Sequence, residues 1–167
     1  MFFEKRIMLL AILGVFFLVF LTQNALGAGP FGVFETPVAG STVRGVIPVT
    51  GWALDDVEVA NVKIYRMDGS NSVYMGDADF VEGARPDVAV SYPSYPYNWK
   101  AGWGYSLVTD LLPNGGNGSF TLIVIAADSD GNNVTLGTKT IICDNINAAK
   151  PFGDLDAPIR GETVSGS

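Results

Sequence analysis

Sixteen residues near the start of this chain recur near its end, and that recurrence limits what the chain can fold into. Pro30 to Gly45 (PFGVFETPVAGSTVRG) aligns without a gap on Pro151 to Gly166 (PFGDLDAPIRGETVSG), 121 residues further on, with eight identities. Ordinary composition gives roughly one match by chance over such a stretch. The matched residues are Pro30-Phe31-Gly32, then turn formers (Pro37, Gly40, Gly45) around a β-branched pair, Thr42 and Val43. A repeat of this kind predicts a tandem array of β modules, with one whole module here and the first strand of a second.

Thr36 to Asp56 is the opening of that module. Pro37 and Gly40 punctuate its entry, and Val43, Ile47, Val49, Gly51 and Ala53 alternate with other residues, which predicts one strand from Val43 to Leu54. Val59 to Met67 and Ser72 to Ala78 read as a hairpin around Asp68-Gly69-Ser70-Asn71. Tyr105 to Thr109 is a further strand. Ser119 to Asp128 alternates most clearly and is apolar on both faces, which predicts a central position; Val134 to Asp144 is the last strand. Residues 80–104 break the pattern. They are rich in Pro, Tyr and Trp, and Arg85-Pro86-Asp87-Val88 predicts a short helical turn that stops before Pro93. About seven strands and no long helix predict an all-β, antiparallel sandwich with a Pro- and aromatic-rich excursion between strands.

The domain plan follows. Residues 1–27 read as a secretory signal: Lys5 and Arg6, then 15 residues from Ile7 to Leu21 that are apolar apart from one Gly, then Ala25 and Gly27 at a cleavage site. An uncleaved anchor is the competing reading, although the run is shorter than the ~20 residues that span a bilayer. Residues 28–36 read as a linker, 37–146 as the domain, and 147–167 as a linker with the truncated first strand of the next repeat. The expected location is outside the cell or on its surface, with membrane contact limited to the signal segment.

After the signal, 140 residues carry 8 Lys+Arg and 16 Asp+Glu, a net of −8. That balance disfavours nucleic acid and anionic membranes, which need a basic face. Cys143 is the single cysteine and sits in an apolar strand, so no intramolecular disulfide forms and a buried, inert thiol is expected. There is no histidine, no nucleophile elbow and no glycine-rich phosphate loop, so the expectation is a non-enzyme.

Gly51-Trp-Ala-Leu-Asp55, Arg85-Pro-Asp-Val88, Tyr92-Pro93 with Tyr95-Pro96, Leu112-Pro-Asn-Gly115, Leu122-Ile-Val-Ile-Ala-Ala-Asp128 and Gly131-Asn132 occur in that order. Together they resemble the bacterial immunoglobulin-like (Big-type) repeat domains of secreted and cell-surface proteins, over roughly Pro30 to Asn145. The resemblance implies an immunoglobulin-like sandwich and a role as spacer, adhesion or accessory module, with neighbouring modules and surface glycans or proteins as partners. It brings no catalytic site. Cys143 departs from the usual final strand of the family.

Three groups of residues carry the remaining expectations. Tyr92, Tyr95, Tyr97, Trp99 and Trp103 are spaced by Pro, Ser and Asn, and planar rings with polar tips suit stacking on sugar faces; the competing reading folds them over the sandwich. Asp144, Asn145, Asn147, Asp154 and Asp156 lie across the joint between modules, where oxygen ligands for Ca²⁺ would stiffen an array; solvated linkers are acidic as well. Trp52 has the opposite parity to Val49, Gly51 and Ala53, so it points outward and needs a cover. Arg85, with Asp87 near it at the start of the excursion, is expected to pair with Asp55 or Asp56 at the end of the same strand.

Overall fold

Alternation decides the central strand, β8 (Asn117–Asp128). Phe120, Leu122, Val124 and Ala126 are buried, while Ile123 and Ile125 between them are half-buried on the other face. Successive side chains on a strand point to opposite faces, so this sequence supplies one fully apolar surface and one partly covered surface. In the computed structural model, which describes residues 27–149, 161–163 and 165, β8 pairs antiparallel on one side with β4 (Val59–Asp68) and on the other with β9 (Asn133–Asp144). β5 (Asn71–Asp77) returns from β4 through a turn at Gly69, whose φ of +59° suits glycine. β2 (Thr42–Val43) runs parallel to the end of β9, giving the order β2-β9-β8-β4-β5.

The second sheet has the order β1-β3-β7-β6, from β1 (Phe31–Thr36), β3 (Val46–Leu54), β7 (Gly102–Val108) and β6 (Asp79–Phe80). Ile47, Val49, Ala53, Trp103 and Leu107 of this sheet join Val62, Ile64, Leu122, Val124, Ile141 and Cys143 of the other in one buried cluster. Gly51 is part of that fit. A Cβ there would lie 2.5 Å from Cζ2 of Trp103, so the ring occupies the space a side chain would take. The described residues are therefore predominantly β, nine strands in two sheets, with little helix.

Two sequence expectations need correcting here. The strand expected from Val43 to Leu54 is two strands on different sheets. Gly45, at φ +66°, lets the chain cross from β2 on one sheet to β3 on the other. Phe31 to Thr36, expected to be linker, is an edge strand paired with β3 from Phe31↔Leu54 to Thr36↔Thr50. Phe34 of β1 is 3% exposed and packs on Trp103, and Lys139 of β9 donates to the carbonyls of Glu35 and Pro37 while lying 4.7 Å over the Phe34 ring. These contacts bind the segment into the body of the domain. The expected signal lies outside the described residues except for Gly27, as does most of the second-copy segment.

The excursion begins after β6. Its helix α1 (Pro86–Ser91) has Pro at its start and Asp87 in its first turn, and Val88 is buried. A 3₁₀ turn at Asn98–Lys100 then leads into β7.

Candidate functional site

The aromatic segment of the sequence divides into three environments. Trp103 is 2% exposed and belongs to the main core. This corrects its placement on a ligand surface. β7 starts at Gly102, so Trp103 shares the inward parity of Leu107 and pairs with Gly51 across the strand. Tyr92 and Tyr95 are half-buried in a second, smaller cluster on the outer face of the β1-β3 sheet, with Phe31, Trp52, Leu54, Val88 and Ala101. Phe31 stands near-perpendicular to Trp52 at 5.8 Å, and its ring lies 5.5 Å from Tyr92 and 5.1 Å from Tyr95. Edge-to-face rings at these separations add electrostatic attraction to the area they bury. Only Tyr97 and Trp99 stay open, at 45% and 48% exposure.

Polar bonds fix this cap over the sheet. The Asn98 side-chain amide donates to the carbonyls of Ala89 and Tyr92, Gly83 N–H donates to Trp99 O, and Ala53 N–H on β3 donates to Ala101 O. Arg85 closes one side. Its Nε and Nη2 donate to both Asp87 oxygens at 2.9 and 2.7 Å, and its Nη1 donates to Glu35 at 2.6 Å. The Arg85 guanidinium holds the Asp87 carboxyl down at about 2. The expected partners Asp55 and Asp56 are not used. Asp55 is 2% exposed, and its Oδ2 accepts from Val57 N–H, so it turns into the loop it closes. Burial, with Asp56 and Asp128 nearby, pushes its carboxyl up.

A crevice of only about 10 Å³, room for about one water molecule, lies between Asp55, Val59, Phe80, Pro96, Tyr97 and Lys100. Lys100 bridges its walls, pairing with Glu58 at 2.8 Å and standing 4.4 Å from the Tyr97 ring centroid. Tyr97 holds a left-handed φ of 55° at the start of the 3₁₀ turn.

At the opposite end of the domain, Asp144, Asn145 and Asn147, three of the expected metal ligands, make direct hydrogen bonds. Asp144 Oδ2 accepts from Arg44 at 2.8 Å and Oδ1 accepts from Asn147 Nδ2, and Arg44 draws the carboxyl down. Asn145 Oδ1 accepts from Gly45 N–H and from the hydroxyl of buried Thr109, while its Nδ2 donates to Gly115 O. Ile146 N–H donates to Asn117 Oδ1. Gly116 has no room for a side chain: a Cβ would lie 2.2 Å from Asn145 Nδ2. Asp154 and Asp156 lie outside the described residues, and among those described no three His, Cys, Asp or Glu residues gather as a metal site.

Fold and site together define a β domain of two sheets around one core, with an aromatic cap on one face and a polar knot where the chain leaves it. The sequence matches no family model and no curated protein. Solved structures give distant likenesses. An endo-β-1,4-mannanase from Thermotoga petrophila is similar over 74% of this chain and 21% of its own, at 12% identity and a TM-score of 0.47. The fibronectin(III)-like modules of Clostridium thermocellum CbhA cover 67% of this chain and 93% of theirs, at 12% identity and a TM-score of 0.36. A cycloalternan-degrading enzyme from Trueperella pyogenes covers 65% of this chain and 16% of its own, at 17% identity and a TM-score of 0.38. The chain thus spans about a fifth of the mannanase.

Proposed function

We propose that residues 27–149 form an immunoglobulin-like sandwich acting as a non-catalytic spacer module of an exported bacterial protein. The fold half of this reading is supported by strand order. β1-β3-β7-β6 and β9-β8-β4 reproduce the two sheets of an immunoglobulin sandwich, with β2 and β5 as added edges. The spacer half rests on where the chain enters and leaves. Gly27 lies beside Asp56 and the β8-β9 turn, its carbonyl accepting from Asn132. Asn145 and Ile146 are tied to Gly45, Gly115 and Asn117 at the far end of β8. Entry and exit are therefore about one long strand apart, roughly 35–40 Å for twelve residues. A domain threaded from pole to pole adds its full length to whatever it separates.

Small-angle scattering tests this. The chain continued after Ser167 with its own residues 47–149 supplies a second whole copy. The spacer reading expects a maximum dimension greater by about one strand length than that of the original chain. Two copies packed side by side, with no such increase, contradict it.

Exposed Tyr97 and Trp99 support a second reading, in which the excursion contacts glycans on a surface that the module presents. Glycan-array binding that disappears on Trp99→Ala supports that role, and binding unchanged by the substitution removes it.

A further inference from the structure

Two of the most exposed apolar side chains in the described residues sit at the exit pole. Ile146 is 81% exposed and Leu111 is 80% exposed. Both belong to the same loop cluster: Ile146 follows Asn145, which accepts from Thr109, and Thr109 opens the 3₁₀ turn that ends at Leu111. Val46, 64% exposed, begins β3 just after Gly45, whose N–H bonds to the same Asn145. The pole is held rigidly, yet it presents bare hydrocarbon, the kind of surface that marks a contact.

Chain length says what reaches it. Ala148 N–H still bonds to Asn145 O, so the first module extends to residue 148. Pro30 is buried inside the module, and its repeat equivalent is Pro151. Two residues, Ala149 and Lys150, separate Ala148 from Pro151, and the three Cα steps from 148 to 151 span at most about 11 Å. A following copy that begins at Pro151 would bring its entry pole up against this exit pole. That entry pole carries Val57, 42% exposed, on the loop beside Asp56 and Gly27.

We infer that Leu111, Ile146 and Val46 form a docking surface for the entry pole of the following repeat, with the Val57 loop as its counterpart, so that successive modules form a stiff rod. This rests on the spacer reading and adds a defined interface to it. In such an array the polar knot at Asn145 fixes the direction of exit, and the apolar contact fixes the angle between modules. No metal is needed for either.

The test uses the full chain continued after Ser167 with its own residues 47–149, and follows ¹⁵N relaxation in each copy. Two folded copies that tumble as one elongated body are expected. Leu111→Ser together with Ile146→Ser should leave both copies folded, since both side chains are exposed, and should uncouple their tumbling. Two folded copies that tumble independently before substitution, or that stay coupled after it, overturn the docking surface while leaving the spacer intact. A second copy that gives no folded spectrum overturns the repeat reading itself, and the docking surface with it.

Discussion

The domain holds two apolar clusters that differ in how they are made. The larger one, between the sheets, is mostly aliphatic and nearly sealed: Val49, Val62, Ile64, Leu122, Val124, Ala126 and Ile141 are wholly buried. The smaller one, under the excursion, is aromatic and leaves four of its rings half-exposed. The first arises from period-two alternation on paired strands. The second is assembled from β1, the end of β3, α1 and a Pro-rich loop, which share no sequence period. Aliphatic burial is summed over many small contacts, whereas an aromatic cap depends on a few large plates in particular places.

The two tryptophans sharpen this contrast. Trp103 lies in the sealed core, and Trp103→Ala should cost about 4 kcal/mol in chemical denaturation. Trp52 is half-buried under the cap, and Trp52→Ala should cost less, about 2–3 kcal/mol, with the transition still cooperative. Equal losses would erase the distinction between the clusters. A loss under about 1 kcal/mol for Trp52→Ala would place the cap outside the fold.

Arg85→Ala should cost about 1 kcal/mol or less, because its ion pairs lie at the edge of the cap. Its pH dependence has a definite sign. The folded Asp87 carboxyl, at about 2, lies below its ordinary 3.8, so the pair stabilises the fold above pH 4. That contribution fades as pH falls from about 4 towards 2, and Asp87→Asn should flatten this part of the acid denaturation curve. Smallest of all is Trp99→Ala. With the ring 48% exposed, stability should change by less than about 0.5 kcal/mol, and any effect should appear in binding alone.

What the sequence revealed follows the same division. The inter-sheet core was legible because Phe120, Leu122, Val124 and Ala126 declare their face by spacing, and so was the outward parity of Trp52 with its need for a cover. Trp103 was misplaced because β7 begins in Gly-Trp-Gly, where flanking glycines hide the alternation that joins it to Leu107. Phe31 to Thr36 reads as linker in the sequence because an edge strand with one partner needs no regular pattern of burial. The same irregularity hides the distant partner of Arg85, Glu35, which stands on β1. At the exit, Asp144, Asn145 and Asn147 lie on one short stretch that bonds to Arg44, Gly45 and Thr109. Composition does not show which donors those oxygens meet; the structure supplies Gly45 N–H, Thr109 and Arg44.

The excursion is an integral part of the fold, a third layer on the outer face of the β1-β3 sheet. Native-state hydrogen exchange tests it at the amides of Gly83, Tyr92 and Ala53, which bond to Trp99 O, Val88 O and Ala101 O. Protection at all three, lower than at Leu122 in β8 but well above that of free chain, is the predicted result. Exchange of Gly83 and Tyr92 at the rate of unstructured peptide, while β8 stays protected, would contradict it.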